Sequence, residues 1–218
     1  MAPTLYSDDV SPPCRAVLWT AKLIGLDLTV KNTSLFNKEH LTDDFLKINP
    51  GHTLPTLVDG RLKLAESRAI CRYLINKYAP NHDLYPENPD LRAMIDRFLD
   101  FDLGSLYTSI AGYFYPVYFY GKSEFDEVLG NKIKSSLELL SVFLGDEKYL
   151  GGNKLCLGDV NVASSLSTLE VMGYDLTSFP KVEAYYNNLK TLKYFKEVHD
   201  NGITSFKSFV DKIKASKK

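Results

Sequence analysis

The apolar positions of the chain follow different patterns before residue 80 and after residue 90. In the first part, short apolar runs alternate with segments whose apolar residues recur every three or four positions. These are the periods of strand and helix side chains. In the second part only the helical period is found. The pattern predicts an α/β domain over residues 1–80, a linker over 81–89 and an all-α domain over 90–218.

The first domain is predicted to contain a strand, a helix, a strand, a short helix, a hairpin and a helix. Strands are expected at Thr4–Tyr6 and at Leu26–Val30, the second with alternate apolar residues facing inward. Asp59-Gly60 separates two further apolar runs and predicts a hairpin, because this pair tolerates the positive φ angles of a tight turn. Strand–helix–strand units form right-handed parallel crossovers. A small α/β sandwich follows, with the hairpin at one edge.

The linker is marked by prolines and by a loss of periodicity between Ala79 and Pro89. Apolar residues at helical spacing then predict a series of helices and no strands. One segment is apolar around its whole circumference and is predicted to be the buried central helix. The helices are expected around residues 91–110, Phe125–Leu144, Leu157–Met172 (the central one), Pro180–Leu192 and Ile203–Ile213.

Charge and cysteine content narrow the possible partners and location. The net charge is −1, which gives no global field for nucleic acid or an acidic membrane. No apolar run reaches membrane-spanning length, and the N-terminus lacks a secretory signal. Cys14, Cys71 and Cys156 are odd in number and widely spaced, which supports neither a disulfide framework nor a zinc site. We expect a cytoplasmic protein without a metal.

Two helix starts carry candidate chemistry. Glu66-Ser67-Arg68 directly follows the second hairpin strand, where free helix N–H groups favour an anion. An acid, a hydroxyl and a guanidinium there suit a ligand with both carboxylate and ammonium groups, although Ser67 alone would serve equally as a helix cap. Ser11 precedes Pro12 at the start of the first helix, where it too is either a cap or a functional hydroxyl. Pro55, just before a strand, is a candidate for a cis bond.

Together the segments S-P-P-C-R-A-V from Ser11, I-N-P-G-H-T-L-P-T-L from Ile48 and E-S-R-A-I from Glu66 resemble the cytosolic glutathione transferases. The sequence is most similar to the arthropod delta and epsilon classes, from Thr4 to about Phe206. The resemblance implies a thioredoxin-like N-terminal domain, an all-α C-terminal domain and a homodimer. It also implies glutathione as cosubstrate, apolar electrophiles as second substrates and a role in detoxification.

The resemblance further implies roles for individual residues. Ser11 would be catalytic, hydrogen-bonding the glutathione sulfur and favouring thiolate, the nucleophile, over thiol. Asp102 would support the end of the site that holds the γ-glutamyl group, in the same or the neighbouring subunit. The implied glutathione-binding residues are Ser11, His40, His52, Thr53, Leu54, Glu66, Ser67 and Arg68.

An aromatic run from Tyr113 to Tyr120, interrupted by Pro116, is too continuous to lie entirely in the core. We expect part of it to face a cleft between the domains, with a kink at the proline. By resemblance, the electrophile-binding residues are Pro13, Leu35, Tyr107, Ile110, Tyr115, Phe119 and Phe206.

Two other functions stay open at this point. The same cleft would also serve a non-catalytic carrier of apolar ligands, although a carrier does not need a thiolate-stabilising serine. Cys14 would be the nucleophile of a thiol-disulfide reductase, although a packed structural thiol is the alternative. The physiological electrophile, the class, and any peroxidase or dehydrohalogenase activity are left undetermined. Two residues depart from the family pattern. Gly51 removes a side-chain contact to glutathione and predicts a lower affinity, and Cys156 predicts a weaker cap for the central helix.

The helices over Ala69–Tyr78 and Leu91–Asp102 are predicted to carry more apolar surface than one intramolecular face absorbs. Such a surplus usually marks an interface. The residues expected at the dimer contact are Ile70, Tyr73, Leu74, Met94, Phe98 and Phe101.

Overall fold

A computed structural model describes residues 2–216 of the 218-residue chain. The N-terminal part is a four-stranded mixed sheet in the order β2-β1-β3-β4, with β1 parallel to β2 and antiparallel to β3. Helices α1 and α3 pack against each other, and Leu5 and Leu57 of the sheet are fully buried. This confirms the thioredoxin-like arrangement. The elements are β1 Thr4–Ser7, α1 Pro12–Leu23, β2 Thr29–Asn32, α2 Asp43–Leu46, β3 Thr56–Asp59, β4 Leu62–Leu64 and α3 Ser67–Tyr78.

The predicted second strand is wrong in position and in burial. The strand covers Thr29–Asn32 instead of Leu26–Val30, and Val30 is 48% exposed. The cause is that β2 is an edge strand whose four residues are all exposed. Leu26 and Leu28 pack against the core from the loop that precedes it.

The hairpin and the helix after it are confirmed. β3 and β4 pair in antiparallel register around Gly60, whose φ is +60°. The helix begins at Ser67, and Glu66 before it has a φ of +67°. The Leu54–Pro55 peptide bond is cis.

The C-terminal part is helical, as predicted. α7 has the predicted bounds and is buried at every position except Glu170, which confirms it as the central helix. The last helix begins at Phe195 rather than Ile203. The sequence did not indicate its first turns because the polar residues His199 to Asn201 interrupt the apolar pattern, although Phe195 and Val198 are buried. The helices are α4 Pro89–Phe101, α5 Thr108–Phe119, α6 Glu127–Leu144, α7 Leu157–Met172, α8 Pro180–Lys190 and α9 Phe195–Ser216, with a π-helical segment at Asp102–Tyr107.

Most of the residues expected at a dimer contact lie instead inside the chain. α3 packs on α1 and α4 packs on α7, and these contacts take up the apolar faces that the sequence left unpartnered. Of the expected set, Met94 is 45% exposed and Tyr73 is half-buried. The four that are buried are Ile70, Leu74, Phe98 and Phe101.

The start of α7 is closed by a capping box, in which the Cys156 side chain accepts from the backbone of Asp159 and the Asp159 side chain accepts from the backbone of Cys156. The Asp159 carboxylate accepts the backbone N–H of Cys156 (2.7 Å) and of Leu150 (2.8 Å) and the hydroxyl of Tyr185 (2.7 Å). Burial raises the pKa of Asp159. The carboxylate therefore adds three hydrogen bonds to a cap in which the Cys156 thiol is a weak acceptor. Among residues 2–216, no helix is both long and apolar enough to span a membrane.

Candidate active site

Ser11 occupies the N-cap position of α1 but does not cap it. Its hydroxyl accepts no hydrogen bond from the helix. The local sequence explains this, because a cap bonds the N–H of the second or third helical residue and the second here is Pro13, which has none. Ser11 is 7% exposed, and its own N–H donates to the Asp8 carbonyl (3.0 Å). Its hydroxyl is thus not used to cap the helix.

Ser11 opens onto a cavity of about 490 Å³ between the two parts of the chain. Seven residues singled out from the sequence line it: Ser11, Leu35, His40, Tyr107, Tyr115, Phe119 and Phe206. Seven others line it that the sequence did not indicate: Val10, Pro12, Phe36, Lys38, Leu41, Tyr120 and Phe209.

Two residues expected in the electrophile pocket do not line this cavity. Ile110 is fully buried in the core, and Pro13 is half-buried outside the lining. Phe209, which the sequence analysis missed, lies three residues after Phe206 and so shares its helix face. It stacks on Phe36 with 4.0 Å between ring centroids. The helical spacing from Phe206 was a usable signal for Phe209, whereas nothing local pointed to Phe36.

The aromatic run divides between two faces of α5. Tyr115 and Phe119, four residues apart, face the cavity together. Tyr113 and Tyr118 instead pack around Phe125 beside α6, with the Tyr113 and Phe125 rings stacked at 4.8 Å. Pro116 lies inside the helix between these groups. Burial raises the pKa of both Tyr107 and Tyr115, so their hydroxyls are protonated at the cavity wall at neutral pH.

The start of α3 adjoins the cavity through Tyr107. The Arg68 guanidinium lies 5.5 Å from the Tyr107 ring and donates to Ser67 Oγ (3.1 Å). It also forms an ion pair with Asp102, whose other oxygen accepts from Ser165 (2.6 Å). Arg68, Ser67 and Asp102 are all buried. This network holds Ser67 in place at the helix start, where the first N–H groups have no helical partner.

The loop before β3 is organised by Asn49. Its amide nitrogen donates to the Thr53 carbonyl (3.1 Å) and to Thr56 Oγ1 (2.9 Å). Its oxygen accepts the N–H of Gly51 (3.0 Å), where an added Cβ would lie 3.2 Å from that oxygen. The loop thereby holds the exposed Thr53 and the half-buried Leu54 directly before β3.

The two histidines expected at the site are neighbours. Burial, and after it the nearby His52, lower the pKa of His40. His40 Nδ1 is buried without a hydrogen-bond partner among the described residues, whereas His52 is exposed. His40 lines the cavity. The remaining residues expected on the glutathione side are not part of its lining: His52, Thr53, Leu54, Glu66, Ser67 and Arg68.

Cys14 is fully buried beneath Ser11. Burial raises its pKa, and hydrogen bonding from the Ser11 side chain only partly offsets this. Burial likewise raises the pKa of Cys71 to about 11. Thiolate is the reactive form of cysteine, so neither residue has the environment of a nucleophile. Within the described residues no group of three or more metal-ligating side chains is found.

Comparison with known proteins agrees with this arrangement. Residues 5–82 match the family profile of the glutathione S-transferase N-terminal domain, and residues 106–192 match that of the C-terminal domain. A solved delta-class glutathione transferase from Nilaparvata lugens is 37% identical, with a TM-score of 0.91 over 97% of this chain and 99% of that one.

Two further solved structures are similar over the same extent. An epsilon-class glutathione S-transferase from the housefly Musca domestica is 32% identical, with a TM-score of 0.89 over 97% of this chain and 98% of that one. A glutathione transferase homolog from Drosophila mojavensis with bound glutathione is 33% identical, with a TM-score of 0.88 over 97% of each chain. The non-capping Ser11 hydroxyl, the Arg68–Asp102 network and the cavity between the domains thus belong to a member of the glutathione transferase family, similar to insect delta- and epsilon-class enzymes along nearly its whole length.

Proposed function

We propose that this glutathione transferase conjugates the thiolate of glutathione to small apolar electrophiles, with Ser11 as the catalytic residue. The observation that carries the proposal is the buried Ser11 hydroxyl, which makes no capping bond and opens onto an apolar cavity of about 490 Å³. A hydroxyl that donates to sulfur favours thiolate over thiol and so lowers the thiol pKa. The thiol proton leaves to solvent before the chemical step.

In the conjugation step the thiolate sulfur forms a bond to an electrophilic carbon. A leaving group departs with its electron pair, or a conjugated double bond takes up the pair. The protein holds the two reactants in contact and stabilises charge on sulfur, which is positioning and electrostatic catalysis. No covalent enzyme intermediate is needed.

Glutathione would lie along the edge of the N-terminal domain next to Ser11. The start of α3 suits its γ-glutamyl end, because Ser67 and free helix N–H groups bind carboxylate and Glu66 is exposed for the ammonium. Leu54 would pair its backbone with the cysteinyl part: neither its N–H nor its carbonyl has a backbone partner among the described residues. Thr53, His40 and His52 would then face the glycine end.

The electrophile would bind against the aromatic wall of the cavity. Phe119 stacks on Phe206 and on Phe209, with interplanar angles of 18°, which makes a flat apolar surface. The neutral hydroxyls of Tyr107 and Tyr115 provide polar groups beside that surface. This arrangement favours flat apolar substrates with one polar substituent.

The carrier and reductase alternatives make different predictions. A panel of apolar electrophiles assayed with glutathione tests the proposal against the carrier. We expect glutathione-dependent turnover of at least one aryl halide or conjugated carbonyl. Tight binding of these compounds without turnover across the whole panel would support the carrier and contradict the proposal.

The reductase alternative is tested by thiol alkylation of the native chain. Because the three cysteines are buried, and burial raises the pKa of each, we expect negligible alkylation at pH 8 before denaturation. Cys14→Ala should keep most of its conjugating activity. Rapid loss of one thiol in the native state, with an inactive but folded Cys14→Ala variant, would revive the reductase.

We further propose a cytoplasmic homodimer with one glutathione site in each chain. The apolar residues that α4 and the π-helical segment leave exposed are Leu91 (54%), Met94 (45%) and Leu103 (40%). Large apolar residues exposed close together favour an interface near the twofold axis. Sedimentation at micromolar concentration should give a species of twice 24.6 kDa. A fully active monomer would contradict this assembly.

A further inference from the structure

Arg15, near the start of α1, has a fully buried guanidinium that the proposed mechanism does not use. Its Nη1 donates to the carbonyl oxygen of Asp9 (2.7 Å), its Nη2 to Ser167 Oγ (2.7 Å) and its Nε to His199 Nδ1 (3.3 Å). Among residues 2–216 none of its hydrogen bonds goes to a carboxylate. The cation therefore joins the β1–α1 loop, α7 and α9 through neutral acceptors.

Burying a charge without an ion-pair partner costs folding free energy, even where hydrogen bonds satisfy its donors. Burial lowers the pKa of Arg15, but a guanidinium stays charged in proteins. Burial, and after it the Arg15 cation, hold the pKa of His199 well below its usual value. The imidazole is thus neutral, and its Nδ1 is free to accept the Arg15 bond. The three acceptors hold the guanidinium in place, but none of them carries a negative charge that would neutralise it.

The Asp9 carbonyl is held from a second side by α9. A Cβ added at Gly202 would lie 1.9 Å from the Asp9 oxygen and 3.1 Å from Arg15 Nη1. Only glycine allows the helix backbone to approach this closely. The loop carbonyl is therefore clamped between the Arg15 guanidinium and the backbone of the C-terminal helix.

This clamp lies two residues before Ser11. The Ser11 N–H donates to the Asp8 carbonyl (3.0 Å), and the Ser11 carbonyl accepts the Arg15 N–H (3.1 Å). We propose that Arg15 is a positioning residue that holds the Asp9–Ser11 segment against α7 and α9 and so sets the place of the Ser11 hydroxyl. The inference rests on the proposed role of Ser11. It makes the helical domain a determinant of thiol ionisation in the other domain.

Other titratable groups face the guanidinium, and their charge near neutral pH is fixed. Burial raises the pKa of the tyrosines and of the thiol and lowers that of the histidine, so all of them stay uncharged. A change in the titration of bound glutathione would thus report on Ser11 rather than on them. These uncharged groups are Cys14, Tyr115, Tyr186 and His199. The Asp9 side chain also faces the guanidinium and is exposed.

The test is the pH titration of the glutathione thiol bound to the full chain. In Arg15→Lys the charge is kept, but one ammonium does not reproduce the planar fork. We expect the thiol pKa to rise by about one unit and kcat to fall about tenfold, with KM for glutathione little changed, because a displaced Ser11 hydroxyl stabilises the thiolate less and one pKa unit corresponds to a tenfold change.

A milder matched pair keeps the test decisive if Arg15→Lys does not fold. Ser167→Ala removes one Arg15 acceptor and should raise the thiol pKa in the same direction by less. Ser164→Ala is the control: it is equally buried on α7, but its hydroxyl donates to the Val160 carbonyl of its own helix (3.1 Å). It should leave the titration unchanged.

Gly202→Ala should likewise raise the thiol pKa, whereas Gly104→Ala, with no atom within 4 Å of its added Cβ, should not. If the Arg15 and Ser167 variants lower Tm but titrate like the wild type, the positioning role is overturned. If the wild-type chain itself does not lower the pKa of the bound thiol, the outcome contradicts the proposed role of Ser11 rather than that of Arg15.

Discussion

Replacing Ser11 by alanine is expected to lower kcat for conjugation at least about tenfold, because a hydrogen bond to a charged group is worth roughly 1.5–3 kcal/mol. The bond to sulfur is stronger for thiolate than for thiol, so its loss also moves the pH at which the rate rises to higher values. The fold should tolerate the change, since the hydroxyl caps nothing in α1. Steady-state kinetics across pH provide the measurement.

Ser67→Ala is the matched comparison, a hydroxyl removed from the start of the other helix. Because Ser67 is assigned to glutathione binding and not to sulfur, we expect a higher KM for glutathione with a smaller change in kcat. The roles of the two serines are distinguished by the kinetic constant that changes: kcat for Ser11 and KM for Ser67. A Ser11→Ala enzyme with the wild-type kcat and pH profile would remove Ser11 from the mechanism.

Replacing Asp102 by alanine is expected to cost about 3–5 kcal/mol of unfolding free energy, because it leaves a buried cation without its partner. Arg68 and Asp102 are both buried, and Arg68 Nε already has no hydrogen-bond partner among the described residues. Since Arg68 also donates to Ser67, glutathione binding should weaken together with stability. Denaturant unfolding and glutathione titration measure the two effects.

Asp96→Ala is the control for this loss. Asp96 lies on α4, just before the π-helical segment that begins with Asp102, and pairs with Arg72 at 2.8 Å, but both side chains are about one-third exposed. A pair of this kind contributes roughly 0–1 kcal/mol. Equal destabilisation by the two substitutions would show that burial of the Arg68–Asp102 pair does not increase its contribution to the free energy of unfolding. An Asp102→Ala enzyme with normal glutathione affinity would show that the Arg68–Asp102 ion pair does not contribute to glutathione binding.

The elements of the fold were predictable where the sequence was locally consistent. α7 is apolar around its whole circumference and has the bounds predicted for it. The hairpin followed from Asp59-Gly60, whose glycine has the required positive φ. β2 was misplaced because an edge strand with four exposed residues has no inward face to produce an alternating pattern.

The site was predictable only in part. The residue types at the two helix starts, helped by the family resemblance, indicated Ser11 and the Glu66–Arg68 turn. What could not be predicted depends on contacts between distant segments. Arg15 meets Ser167 and His199 across more than 150 residues, and Phe36 meets Phe209 across the cavity mouth. Helical periodicity could not tell Ile110, which lies in the core, from residues that line the cavity.

The central claim is that Ser11 stabilises bound thiolate, and thiolate absorbance against pH in the complex with glutathione tests it most directly. An ordinary thiol has a pKa of about 8.5. The account predicts that glutathione bound to the wild-type chain ionises at least about one pH unit below this, a difference of about 1.4 kcal/mol. In Ser11→Ala the midpoint should return towards the ordinary value. The same midpoint in both proteins, or a wild-type midpoint at the ordinary value, would contradict it.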